Sequence, residues 1–284
     1  MMKSVISKMV KNDIEEMMIN SMIRKAKNNI KENDYVENGL LHCGNCHTEK
    51  EFILPSGRKV PCMCDCMEKQ YQEQEAKEKL QDFVRNNIRN IDSQYRNISL
   101  KDIDDIDTDT DLSFIKPFIE NFIEFKKASM GLYIFGNYGN GKTTIASAIA
   151  NELLQKGYRV LMTPCNEAIN QISDRDNAPY YKDKLKNMDL IILDDFGSNR
   201  DTEFQKEQLY NLFDFLYSNR KCIILTTNVP RKELANRDNI QMARTYDRII
   251  EMTKGIMIKR ESMRIKISKE KQSKLDELLK IKGE

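Results

Sequence analysis

One stretch, Gly136-Asn137-Tyr138-Gly139-Asn140-Gly141-Lys142-Thr143, constrains this chain more than any other. It follows a short apolar run, Leu132–Phe135. It precedes a helical pattern beginning at Thr144, with apolar positions at Ile145, Ile149 and Leu153 and Gly157 as its stop. Strand, glycine-rich turn and helix start, in that order, make an anion cradle. Glycine lets backbone N–H groups turn inward and approach phosphate oxygens closely, and the helix start adds unpaired amides at the positive end of its dipole. Lys142 is a mobile point charge suited to the outer phosphates of ATP, and Thr143 offers a hydroxyl to Mg²⁺. The spacing is that of the Walker A loop, in the context that the motif requires.

A triphosphate site of this kind needs an acidic partner. Leu190-Ile191-Ile192-Leu193 runs directly into Asp194-Asp195, the Walker B pattern. Asp194 is placed to hold magnesium, directly or through water, and Asp195 to orient or deprotonate the attacking water. Many related ATPases carry Glu at the second position, one methylene longer. A third strand, Ile223–Leu225, ends in Thr226-Thr227-Asn228. A polar residue at the carboxyl end of a central strand faces the crevice where ligands bind, so Asn228 is a candidate to contact the γ-phosphate or its water; the same residues before Val229-Pro230 also read as a helix entry. With Val160–Met162 and Ile256–Ile258, five apolar runs alternate with helical patterns, among them Leu209, Leu212, Phe213 and Leu216. A further helical stripe, Phe114, Ile115, Phe118, Phe122 and Ile123, precedes the first strand. The alternation predicts an α/β domain with a mostly parallel sheet covered on both faces.

Charge and cysteine usage bound the setting. Lys+Arg 46 against Asp+Glu 44 leaves a net charge of +2, too little for a field that would gather nucleic acid over the whole surface. A local patch has to serve, and Lys259, Arg260, Arg264, Lys266, Lys269, Lys271 and Lys274 supply a candidate. Apolar runs such as Leu190–Leu193 are far short of a membrane span, and Lys3, Lys8 and Lys11 interrupt what would be the apolar part of a signal peptide. The expectation is a cytoplasmic protein in a reducing compartment. There, Cys43-Gly-Asn-Cys46-His47 and Cys62-Met-Cys64-Asp-Cys66 suggest a structural zinc ion before disulfides. Cys43, Cys46, Cys64 and Cys66 are the preferred ligands because Cys66 adjoins a helix starting near Met67. Cys62 is the alternate, and His42 and His47 rank lower.

Other segments set the organisation. Lys3 to Asn29 reads as an amphipathic helix, with Ile6, Val10, Ile14, Met17, Met18, Met22 and Ile23 on one face; it packs on its own domain or grips a partner. Met67 to about Asn90 reads as a polar helical arm. Asp102, Asp104, Asp105, Asp107, Asp109 and Asp111 crowd one segment, but a calcium loop starting at Asp105 would need Gly at Thr110 and Glu at Lys116. The expected division is therefore an N-terminal helix and zinc module over 1–90, an acidic linker over 91–110, and an ATPase domain over 111–284.

The order Gly136–Thr143, Leu190–Asp195, Thr226–Asn228, Tyr246-Asp247-Arg248 and Glu261-Ser262-Met263-Arg264 resembles the AAA+ ATPases. More narrowly, it is similar to the bacterial replicative-helicase loaders of the DnaC/DnaI type and to the related IstB-type transposition helpers. The resemblance runs from about Phe114 to the last residue, and its most specific part is Asp-Arg followed by Ser-x-Arg. It implies an AAA+ P-loop fold with a five-stranded sheet behind a small helical and zinc-binding domain. It also implies ATP hydrolysis and loading of the hexameric replicative helicase onto single-stranded DNA, with the N-terminal region docking on the helicase. Asn228 becomes the first sensor residue and Arg264 the second sensor, in cis at the γ-phosphate. Arg248 becomes the arginine finger that reaches ATP in a neighbouring copy, with Arg244 a nearby competitor. Met263 stands where the family commonly has an aromatic residue.

Overall fold

The computed structural model describes residues 30–91, 93–104, 112–197, 202–235, 240–259, 262, 268 and 271–275. The predicted N-terminal helix, the acidic run 105–111, Arg264 and part of the C-terminal basic stretch lie outside these residues. The chain divides into two compact units, Met1–Gln81 and Asp82–Glu284.

In the first unit, β1 (Tyr35–Glu37) and β2 (Leu40–His42) form an antiparallel hairpin, and β3 (Glu51–Ile53) and β4 (Lys59–Pro61) form another. The first hairpin turns at Asn38-Gly39, both with positive φ (51° and 76°), the backbone that a tight two-residue turn demands. Helix α1 (Asp65–Asn87) starts here and buries none of its residues, as its polar sequence predicts. Among the described residues of this unit, only Cys43, Lys50, Val60 and Cys64 are buried. Four side chains do not make a hydrophobic core.

The second unit is built on a five-stranded sheet of β5 (Gly131–Gly136), β6 (Val160–Pro164), β7 (Leu190–Phe196), β8 (Cys222–Thr227) and β9 (Thr253–Ile258). The order is β6-β7-β8-β5-β9 and every pairing is parallel. Alternate side chains enter two separate cores. Leu132, Ile134, Leu190, Ile192 and Ile224 join Ile145, Ile149 and Leu153 of α2 (Lys142–Gln155) on one face. Tyr133, Ile191, Leu193, Ile223 and Leu225 meet Leu209, Leu212, Phe213 and Leu216 of α3 (Glu203–Ser218) on the other. Two more helices lie between β6 and β7, α4 (Cys165–Ser173) and α5 (Ala178–Lys186), burying Ile169, Ile172, Tyr181 and Leu185. Helix α6 (Ile240–Met252) precedes β9 and packs on α3, with Ile249 buried.

Two sequence expectations differ from what is seen. The stripe from Phe114 to Ile123 is broken at Asn121 into Ile115–Glu120 and Phe122–Lys127, which buries Ile119 and leaves Ile123 exposed. The stretch that the acidic composition marks as linker is packed over its described part. Ile91 and Ile103 are fully buried against α2, with Phe83, Val84 and Ile88 alongside. Asn151 of α2 holds this stretch from below, its Nδ2 donating to the carbonyls of Tyr95 (2.8 Å) and Ile98 (2.7 Å).

Candidate nucleotide site and cysteine cluster

The phosphate-type loop spans the gap between β5 and α2, at the carboxyl edge of the sheet. Gly139 and Gly141 have φ of 74° and 87°. Gly136 is wedged so tightly that a Cβ there would lie 2.4 Å from both Asn140 Nδ2 and the carbonyl oxygen of Ile258. Asn140, buried, donates from Nδ2 to that carbonyl at 2.8 Å and so ties the loop to the end of β9. Lys142 is buried too. Its Nζ donates to the carbonyls of Gly136 (3.0 Å) and Asn137 (2.7 Å), to Asn140 Oδ1 (3.1 Å) and to Asn228 Oδ1 (2.7 Å). These are uncharged oxygens that fix the ammonium's position. Tyr138 projects from the loop, exposed.

The acidic pair joins the same group. Thr143 Oγ1 donates to Asp194 Oδ1 at 2.9 Å, and Thr226 Oγ1 donates to that same oxygen. The β7–β8 register shifts between Leu193 and Phe196, and Asp195 inside the shift has φ of 58°. A left-handed residue costs about 1 kcal/mol or more for a non-glycine, and here it falls on the second of two successive acidic residues near the end of β7. Burial raises the Asp194 carboxyl above the usual carboxylate range, outweighing the hydroxyls of Thr226 and Thr143. The structure thus brings Lys142, Thr143, Asp194 and Asn228 together. Thr226 is a site residue whose role the sequence hides: besides bonding Asp194, its Oγ1 accepts from the Asp195 backbone N–H at 3.0 Å. The signal was the same one that marks Asn228, a polar side chain at the carboxyl end of a central strand. Thr226→Val, nearly isosteric, is expected to lower stability by about 1–3 kcal/mol in urea melts, while Thr226→Ser stays close to the parent.

Arg248 lies on α6 and pairs with Asp214 of α3 at 2.6 Å. Arg244 is exposed, one turn earlier on the same helix.

In the first unit, the Sγ atoms of Cys43, Cys46, Cys64 and Cys66 all lie within 4.8 Å of one another. Cys43–Cys66 is 3.6 Å and Cys64–Cys66 is 3.4 Å. Four sulfurs on one zinc at about 2.3 Å would stand about 3.8 Å apart, so the donors fit a tetrahedral ion with little movement. Cys62 turns elsewhere, its Sγ 3.5 Å from the Glu49 carbonyl oxygen. His42 and His47 do not join the group; both contact the Tyr35 ring, and His47 Nδ1 is 3.2 Å from its hydroxyl. Burial opposes ionisation of Cys46, but the Thr48 hydroxyl and backbone N–H groups overcome it and bring the thiol down to about 5. Cys66 is pushed up to about 12 by the sulfurs of Cys64, Cys46 and Cys43. Backbone N–H groups likewise lower the Cys43 thiol while burial raises that of Cys64, so the group favours some thiolates and resists the rest, the electrostatics that a divalent cation would complete. Asp34 braces the knuckle, accepting from the Gly44 N–H at 3.1 Å and pairing with buried Lys50 at 2.5 Å.

A family model described as IstB-like ATP binding protein matches residues 72–271. The chain belongs to that family. Its domain has the AAA+ P-loop fold of the DnaC/IstB type, as the motif order implies. This IstB-like chain is similar to a solved structure titled as the DnaC helicase loader, at 25% identity and a TM-score of 0.50, over 59% of this chain and 100% of that one. A structure of DnaI, 23% identical with a TM-score of 0.51, covers 61% of this chain and 93% of that chain and supports the fold alone. Curated relatives include chromosomal replication initiator proteins DnaA. That of Thermoanaerobacter sp. (strain X514) is 32% identical over 114 residues, 38% of this chain and 26% of the relative. That of Acholeplasma laidlawii is 29% identical over 157 residues, 52% of this chain and 34% of the relative. The match therefore spans about a quarter to a third of the length of these relatives. Among the described residues no helix is long and apolar enough to cross a membrane.

Proposed function

We propose that the chain is an ATP-dependent loader that places the hexameric replicative helicase on single-stranded DNA in the cytoplasm, with hydrolysis switching assembly and release. The observation that carries this reading is the likeness to the DnaC helicase loader, which spans the whole of that chain; it is supported by the grouping of Lys142 with Asn228 and of Thr143 with Asp194 in this one. In this reading the loop from Gly136 to Thr144 cradles the phosphates, and Thr143 and Asp194 hold Mg²⁺. Asp195 positions or deprotonates water while Asn228 contacts the γ-phosphate. Arg264 acts in cis, and Arg248 acts on the nucleotide of the adjacent copy in a homo-oligomer, which makes cleavage depend on assembly. The cysteine module holds Zn²⁺ at Cys43, Cys46, Cys64 and Cys66, and the N-terminal region docks on the helicase. Lys259, Lys271 and Lys274 belong to a basic stretch that contacts DNA phosphates.

The test is co-purification of the full chain with the replicative helicase of the same cell, with ATP and with ADP. A stable complex that releases the helicase onto single-stranded DNA after hydrolysis is expected; failure to bind helicase under either nucleotide would contradict the reading. The second reading, an ATP-dependent transposition helper, draws on the family description; binding to a transposase instead of helicase would select it.

Asp194 gives a pH dependence. Its raised pKa means that the magnesium-free fold holds a proton there to higher pH than the unfolded chain does. Its contribution to stability is therefore present below the raised pKa and lost as pH rises through it. At a pH where that proton is held, Mg²⁺ would have to displace it. Magnesium-nucleotide binding is expected to release protons and to weaken as pH falls into this range, seen as a buffer-dependent heat in calorimetry that Asp194→Asn removes.

A further inference from the structure

The strongest cluster outside the nucleotide site surrounds Arg248. Helix α3 presents Tyr210, Asp214 and Tyr217 at helical spacing, so all three share one face. The Arg248 guanidinium lies on that face. Nη2 is 2.6 Å from Asp214 Oδ1, and the group sits 4.9 Å from the Tyr210 ring centre and 5.5 Å from that of Tyr217. Tyr217 is itself fixed, its hydroxyl donating to the Glu251 carboxylate at 3.0 and 3.1 Å. The side chain of Arg248 is 21% exposed, and its Nη1 is buried without a hydrogen-bond partner among the described residues.

This is an uneven use of a planar fork of donors. An arginine spent wholly on packing α6 against α3 would satisfy both terminal nitrogens, because an orphaned buried donor costs stability. An arginine ready to act on a neighbouring molecule would show its donors to solvent. Arg248 does neither: one nitrogen is engaged by a half-exposed carboxylate and the other is covered. Arg244, one turn away, is exposed. The arrangement is a holding position. Its grip is moderate, an ion pair near the surface plus two cation–π contacts, and a phosphate group offers the same fork a stronger, bidentate acceptor.

We infer that Asp214, Tyr210 and Tyr217 are positioning residues that park Arg248 within its own subunit, so that the isolated chain withholds this cation until assembly places a neighbour's nucleotide within reach. The inference rests on the reading of Arg248 as the group acting in trans. In the parked state the cleft of the next copy lacks its cation and hydrolysis stays slow. On assembly the Asp214 carboxylate is exchanged for phosphate oxygens, and the cost of leaving the cage is charged to association. The device would raise the protein concentration at which assembly switches hydrolysis on.

The test measures the ATPase rate of the full chain against protein concentration. Asp214→Asn keeps the shape but removes the charge, and Tyr210→Leu removes one ring. Each is expected to lower the concentration for half-maximal activity by about three- to tenfold while leaving the plateau rate close to the parent's. A merely structural role for the cluster would reduce the plateau or the folded fraction without moving the midpoint downward. Arg248→Ala is run beside them, with Arg244→Ala as the control for the other arginine. If Arg248→Ala is inactive and both cage variants keep the parental midpoint or raise it, parking is overturned and the trans reading stands. If Arg248→Ala is as active as the parent, the trans reading fails and this inference fails with it.

Discussion

Lys142→Ala is expected to weaken binding of magnesium-ATP by about two orders of magnitude, measured by calorimetry on material whose melting curve shows it to be folded. The size follows from the site. A charge-assisted contact to phosphate contributes about 1.5–3 kcal/mol, and the loop's backbone amides remain to retain some affinity. The Lys142 ammonium is held at the mouth of the cradle by two loop carbonyls, Asn140 Oδ1 and Asn228 Oδ1, so the charge is pre-positioned and no other cation is arranged to replace it within the loop itself. Removing it should leave the fold of the loop largely intact, because Asn140 still ties the loop to Ile258 and the glycines keep their turn. An affinity within threefold of the parent would show that the cradle holds something other than a triphosphate.

Stripping metal from the cysteine module should have a larger structural effect. Elemental analysis is expected to find one zinc per chain, and chelation is expected to unfold the β1–β2 and β3–β4 hairpins while nucleotide binding by the second unit survives. With only Cys43, Lys50, Val60 and Cys64 buried among its described residues, the first unit has little apolar burial to oppose chain entropy. A structural zinc on four thiolates contributes about 10–16 kcal/mol, more than such a unit could otherwise muster. Cys64→Ser, at a buried position, should lose the metal; Cys62→Ser, whose thiol faces the Glu49 carbonyl, should keep it. Zinc retained in Cys64→Ser and lost in Cys62→Ser would reverse the ligand assignment.

Much of the ATPase domain could be read from the sequence because its physics is local. A buried parallel strand must be apolar along its length, and five short apolar runs mark the five strands. The glycine-rich loop is legible because backbone contact with phosphate admits few residues. The Walker B pair is legible because its carboxylates end an apolar run. What escaped depends on contacts distant in sequence. The stretch containing Ile91 and Ile103 has isolated apolar residues and an acidic neighbourhood, so nothing local marks it as packed. Its anchor is Asn151, more than fifty residues away. Helices α4 and α5 are short, and α5 buries little beyond Tyr181 and Leu185, too sparse a stripe for periodicity to register. Thr226 looks like any strand threonine until Asp194 and the Asp195 amide are seen on either side of its hydroxyl. Asn121 splits what the stripe at Phe114 to Ile123 presents as continuous, and so exchanges Ile123 for Ile119 in the core.

The central proposition is that a nucleotide held by one copy is cleaved with the help of a cation from the next. The most direct measurement mixes two variants, Lys142→Ala and Arg248→Ala, each expected to be nearly inactive alone. In a mixed assembly an intact loop on one chain meets an intact arginine on its neighbour, and activity should return to about a quarter of the parental rate on random mixing. Mixtures no more active than the separate variants, under conditions where the two chains demonstrably co-assemble, would contradict it.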